Sequence, residues 1–208
     1  YADVSHDLSG THMKRFHYDD PTVLQGLSLT NTGAESVSAE LAVQGYRELA
    51  SQQSSGNVAI ERHYYSRTGE PIALTDQPLR LATGDLILVE LRIASTQYRP
   101  DLMAVDLLPA GLELENQNLL DSQSVADILV DSTSVADWTR NNGVLHQEYR
   151  DDRFVAALET GAHRSSRVFY LARAVTPGKY RIPGPLLEDM YDPEARSVGA
   201  NAHWLIIE

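Results

Sequence analysis

An acidic pair, Asp151 and Asp152, lies inside Arg150-Asp-Asp-Arg153, and paired carboxyls are what a glycoside hydrolase needs. Adjacent carboxylates flanked by arginines between two strand-like runs read instead as a charged, solvated turn. Seven histidines raise the prospect of a metal centre, but no His-Glu-x-x-His occurs. His6, His12 and His17 fall near the amino terminus, and His146, His163 and His203 read as ordinary surface or strand-end residues. A nucleophile elbow requires Gly-x-Ser-x-Gly, and none is present. No cluster of glycines opens a helix in the manner of a phosphate-cradling loop. Cysteine is absent, which removes disulfides, zinc thiolates and cysteine nucleophiles from these residues. The chain therefore reads as non-enzymatic, with no metal and no cofactor.

Charge narrows the partners further. Lys and Arg number 17 against 29 Asp and Glu, a formal net charge of -12. Such a surface repels phosphate backbones, and no basic cluster overrides it, so nucleic acid is excluded as a partner. No apolar run reaches the ~18 residues that a membrane-spanning helix takes. The length of 208 residues, with 42% hydrophobic, suits one large core or two small ones.

Alternation of period two dominates, the mark of strands with one buried face. Leu24, Leu27 and Leu29 lead through Asn31-Thr-Gly33 to Val37, Ala39, Leu41 and Val43, so residues 22–46 are predicted to form a hairpin that must join a sheet. Residues 47–56, with Ser51-Gln-Gln-Ser-Ser-Gly56, have the composition of a flexible linker. Strands are then predicted at Val58 to Tyr65, Leu86 to Ala94, Met103 to Leu108, Leu145 to Tyr149, Phe154 to Leu158, Val168 to Val175 and His203 to Ile207. Turn residues such as Thr83-Gly84-Asp85 and Thr176-Pro177-Gly178 separate them, a spacing that favours a β-sandwich. Between Ser122 and Trp138, helical spacing of Val125, Ile128 and Leu129 predicts a short helix, capped by Ser124 with Asp127. Tyr64, Tyr65, Phe169 and Tyr170 are expected in the core or on a sheet face. The expected fold class is thus all-β, an antiparallel sandwich over residues 57–208 with a helical insertion. Residues 1–56 hold a partial β-domain and linker, with Gly10-Thr-His-Met13 resembling a cloning remnant.

One run departs from generic sandwich composition: Leu187-Glu-Asp-Met-Tyr191-Asp-Pro-Glu194. It follows Arg173-Ala-Val-Thr-Pro-Gly178, and earlier come Asp106-Leu-Leu-Pro-Ala-Gly111 and His146-Gln-Glu-Tyr-Arg-Asp-Asp-Arg153. In this order the series resembles the last macroglobulin-like domain, in the carboxy-terminal region of bacterial alpha-2-macroglobulins. The resemblance covers residues 57–208, and residues 22–46 look like strands that complete the preceding CUB-type domain.

The resemblance implies a periplasmic protease trap, and leaves open an anchor to the membrane through the missing amino terminus of its parent. Its reactive thioester lies in another domain, since this chain has no Cys. It implies further that Met190 and Tyr191 pack over that thioester until a protease cuts the bait region, and Glu188 and Asp189 are expected to orient the loop by accepting backbone hydrogen bonds. The implied partners are the thioester-containing domain of the same parent chain and, through the full-length protein, target proteases. Two other readings stay open here: a spacer sandwich in a cell-surface protein, and a homologue without a thioester in which the loop is only architectural. Taken as residues alone, Met190 and Tyr191 would fit a strand core, whereas Pro183, Pro185 and Pro193 around them favour a constrained surface loop. On the thioester reading, the parent sequence should carry Cys-x-Glu-Gln roughly a domain length or more before Tyr1; sequencing upstream checks this.

Overall fold

The computed structural model describes residues 13, 15–18, 27–42, 53–75, 77–115, 123–162, 164–200 and 203–208. The chain divides into two compact units, residues 1–45 and 46–208. In the first unit, residues 27–42 carry no strand, and Leu27, Leu29, Val37 and Leu41 are exposed. The hairpin expected over residues 22–46 is therefore not formed in its described part, and its ends at 22–26 and 43–46 lie outside the described residues. Only the turn is present: the Gly33 amide donates to Asn31 Oδ1 at 2.9 Å, and Asn31 Nδ2 to the Glu35 carbonyl at 2.8 Å. A two-stranded hairpin by itself gains too little from its apolar face to offset the entropy of ordering it.

The described residues of the second unit form sixteen strands and two short helices: β1 Gln53–Ser54, β2 Val58–Ser66, β3 Pro71–Ile72, β4 Leu79–Leu81, β5 Leu86–Ser95, β6 Arg99–Leu107, β7 Leu112–Leu114, α1 Gln123–Ala126, β8 Leu129–Val130, β9 Thr133–Ser134, α2 Val135–Thr139, β10 Val144–Arg150, β11 Arg153–Thr160, β12 Arg164–Ala174, β13 Gly178–Arg181, β14 Leu186–Asp189, β15 Arg196–Val198 and β16 Trp204–Ile207. They form an all-β sandwich. One sheet has the order β1-β15-β14-β6-β11-β10 and the other β3-β2-β5-β12-β7, both antiparallel throughout; β13-β16-β4 make a third, small sheet. Ser54, expected in a linker, is thus part of a strand: Gln53 and Ser54 pair with Val198 and Ser197. Asp151 and Asp152 form the exposed turn between β10 and β11, as their flanking arginines indicated.

Alternate residues of the two large sheets meet in the core. Leu102 and Ala104 of β6 and Phe154, Ala156 and Leu158 of β11 face Ile60, Ile87, Val89, Leu91, Val168 and Tyr170 from the other sheet. Within this core a buried Asp106 accepts from Arg62 at 2.5 Å and from the Tyr170 hydroxyl at 2.7 Å, while Tyr170 stacks on Phe154 with ring centroids 4.6 Å apart. The charge is tolerable because each carboxylate oxygen has a partner.

The continuous apolar run Ile87-Leu-Val89 of β5 is buried on both faces. Its second face belongs to a separate cluster: Tyr65, Leu88, Phe169 and Leu171 are covered by Val125, Ile128, Val130 and Val135 of the insertion. The insertion is two short helices flanking a two-residue hairpin, not one helix. Ser124 lies inside α1 instead of ahead of it, so the expected cap is not there. The same Ser-x-x-Asp spacing operates ten residues on, where Ser134 Oγ accepts from the Asp137 amide at 3.1 Å and starts α2. At the hairpin, Asp131 and Ser132 both have positive φ, as a tight turn matched to strand twist demands. That turn places Asp131 Oδ2 at 3.1 Å from Arg92 and 3.0 Å from Arg167.

Arg92 (2.9 Å), Arg167 and the Tyr65 hydroxyl (2.7 Å) all donate to the fully buried Glu90, and the Arg167 guanidinium lies 3.7 Å from the Trp138 ring centroid. Burial alone pushes the Glu90 carboxyl up, but the bonds from Arg167, Arg92 and Tyr65 outweigh it and hold the group below its ordinary 4.5. Because the folded value is the lower one, the stabilisation is complete above pH 4.5 and is lost progressively as pH falls through the folded value. In a Trp204→Phe background, where Trp138 is the single tryptophan of the chain, acidification below pH 4.5 is expected to change its fluorescence before the core unfolds. A Trp138 signal that moves only together with far-ultraviolet circular dichroism would contradict this.

Candidate functional site

β14 runs between β15 and β6, and alternation puts Leu187 and Asp189 inward and Leu186 and Glu188 on the outer face. Beyond it, the Met190 amide still donates to the Asp101 carbonyl at 2.9 Å, extending the pairing with β6 by one residue. The chain then turns back over residues 190–195 to β15. Two backbone bonds close this turn, Asp189 N to Ala195 O at 3.0 Å and Ala195 N to Asp192 O at 2.9 Å.

Asp189 organises the turn. It is buried, and its Oδ1 accepts from the Tyr191 amide at 3.0 Å and the Asp192 amide at 3.1 Å. Its Oδ2 accepts from Arg99 Nη1 at 3.2 Å. The same Nη1 reaches Asp192 Oδ2 at 2.7 Å, and Nη2 donates to the Gly56 carbonyl at 3.2 Å. The hydrogen bond from Arg99 holds the Asp192 carboxyl below its ordinary value. Gly56 itself lies where no side chain fits: φ is +61°, and a Cβ would fall 2.4 Å from Ala195 Cα.

The result is a fixed turn that presents two large side chains to solvent. Met190 is 49% exposed and Tyr191 81%, so neither is a core residue of its own sandwich. The alternative that these two residues belong to a strand core is thereby corrected. Glu188 is partly exposed on the opposite face of β14 from Asp189, and the Tyr191 and Asp192 amides go to Asp189. Arg99, Ser55 and Gly56 brace the loop, although Ser55 and Gly56 have the composition of a linker; the contacts span 90, 93 and 43 positions for Arg99 and 139 for Ser55, and no local pattern signals them.

Among the described residues no group of His, Cys, Asp or Glu is arranged to hold a metal ion, and no helix is long and apolar enough to cross a membrane. What the site offers is an apolar contact surface held on a rigid frame.

The family described as the bacterial alpha-2-macroglobulin MG10 domain matches residues 58–194, which include the whole turn up to Glu194. The chain belongs to that family. Alpha-2-macroglobulin of Xylella fastidiosa (strain Temecula1) is 34% identical over 193 residues, covering 93% of this chain and 12% of the relative. Among solved structures, Escherichia coli alpha-2-macroglobulin activated by porcine elastase aligns with a TM-score of 0.67 at 40% identity, over 79% of this chain and 14% of that one. Native Escherichia coli alpha-2-macroglobulin spanning MG7 to the carboxy terminus aligns at 0.65 and 40%, over 79% and 25%. This chain therefore spans about an eighth of the length of the first relative, at 12%. The MG10 fold is matched about equally in a native and a protease-activated relative.

The two neighbouring acids of this MG10 turn should behave differently. Asp189→Ala leaves two amides and a largely buried Arg99 short of an acceptor and is expected to cost about 2–4 kcal/mol in urea denaturation. Glu188→Ala is expected to stay within about 0.5 kcal/mol of the parent.

Proposed function

We propose that this MG10 domain is the docking and shielding element of a periplasmic, non-enzymatic protease trap. The Met190–Tyr191 turn seats on the thioester-containing domain of the same parent chain and keeps water from the acyl bond. Cleavage of the bait region by a target protease then moves the two domains apart.

The observation that carries this reading is the combination of exposure and fixity. Met190 and Tyr191 stand 49% and 81% exposed on a turn whose backbone is held by a buried carboxylate. A mobile loop would lose conformational entropy on docking, whereas this one is already ordered. A thioether beside a phenol ring makes a dry, adaptable cover, and burial of each such side chain is worth about 1.5–3 kcal/mol. That suffices to bias docking and is small enough for a large rearrangement to reverse. The equal match of the fold to native and activated relatives supports a domain that moves as a body without refolding. A thioester survives in water only where water is excluded, which is the role a surface lid can fill.

The direct test is Met190→Ala with Tyr191→Ala in the full-length parent. Spontaneous thiol release, followed by a thiol reagent without added protease, is expected to accelerate by about tenfold or more, as a loss of ~1.4 kcal/mol or more in shielding implies. An unchanged rate removes the shield.

A further inference from the structure

The segment that leads into the sandwich is stitched to the Met190–Tyr191 turn itself. β1 pairs with β15, the strand that leaves the turn, through Gln53–Val198 and Ser54–Ser197. The Ser55 amide donates to the Arg196 carbonyl at 2.8 Å, and Ser55 Oγ donates to the Glu194 carbonyl at 2.5 Å, inside the turn. The Gly56 carbonyl accepts from Arg99, the same guanidinium that clamps Asp189 and Asp192 on either side of Met190 and Tyr191. Gly56 packs so closely on Ala195 that any Cβ at position 56 would push the two apart.

We propose that residues 53–56 and the turn at 190–195 form one mechanical unit, so that displacement of the chain upstream of Gln53 is transmitted to Met190 and Tyr191. The physical grounds are the small size of β1 and the location of its partners. β1 is two residues long at the edge of its sheet, so a pull along the chain meets little resistance before it reaches Ser55 and Gly56. Loss of the Gly56 acceptor and of the Ser55 bonds removes the part of the frame that the lead-in segment supplies, while β5, in the centre of its sheet, makes none of these bonds. Arg99 is the positioning residue of the device: it joins the lead-in segment to the carboxylates of Asp189 and Asp192. In terms of the proposed shield, the turn is ordered as long as the upstream chain rests in place, and it loosens when a rearrangement of the parent draws that chain away. This regulatory role rests on the shielding function proposed above, whereas the coupling rests on the contacts alone.

Amide hydrogen exchange on the 208-residue chain reads the coupling directly. Gly56→Val forces the lead-in segment off Ala195, and Ser55→Ala removes the Oγ bond to Glu194. Exchange of the Met190, Tyr191 and Asp192 amides is expected to speed up by about tenfold to a hundredfold in Gly56→Val and by several-fold in Ser55→Ala, the changes that loss of a few hydrogen bonds produces. Exchange of the β5 amides should stay at the parental rate. Parental exchange of the three loop amides in both variants would overturn the proposal, as would equal acceleration of β5 and the loop in both, which marks global unfolding. Thiol release in the full-length parent separates the two ideas. Faster release in Gly56→Val, Ser55→Ala and the Met190/Tyr191 double variant supports both; faster loop exchange with unchanged release in all three leaves the coupling standing and removes the shield.

Discussion

A single buried carboxylate decides the shape of the functional surface. Asp189 ends β14 on the inward side, where its two oxygens take up the next two free amides and one arm of Arg99. Without that acceptor the chain leaving β14 would have to find other partners for the Tyr191 and Asp192 amides, and the turn would open toward solvent. With it, the residue between an inward Asp189 and a held Tyr191 amide has nowhere to go but outward. The exposure of Met190 is thus a consequence of strand alternation and of one satisfied buried charge.

The remainder of the sandwich provides a frame stiff enough for that carboxylate to matter. β5 and β12 are covered on both faces, by the opposite sheet and by the insertion, and each face has its own charged anchor. Asp106 holds Arg62 and Tyr170 in the inner core, and Glu90 holds Arg92, Arg167 and Tyr65 beneath the insertion. Both carboxylates are paired on each oxygen, the condition under which a buried charge specifies an arrangement instead of disrupting it. β6 belongs to this frame through Asp106 and to the turn through Arg99, and so carries the rigidity of the core to the surface.

The legible and the illegible parts of the sequence divide along the range of the contacts. The strands from Val58 to Ser66 and from Arg153 to Thr160 announce themselves because near neighbours in the chain alternate between core and solvent. The hairpin read from Leu29 and Val37 fails because alternation records only the capacity to pair, and residues 27–42 show no partner strand. The helix cap read at Ser124 fails for a related reason: Ser134 with Asp137 has the same spacing, and the apolar seat for Val135 beneath it selects the later site. β1 was hidden inside a run of Ser and Gln, since a two-residue edge strand is held by its partner β15 and not by its composition.

By itself the sequence determined the fold class, most of the strand positions and turns, the absence of thiol chemistry, and the resemblance carried by Glu188-Asp-Met-Tyr191. These are properties of composition and of residues a few places apart. Only the tertiary structure decided that Met190 and Tyr191 are exposed while Asp189 is buried, and that Arg99 and Gly56 brace the turn. The physical reason is that burial and hydrogen bonding at this turn depend on the order of strands within a sheet, which brings together residues 43 to 93 positions apart, and no local pattern encodes that order.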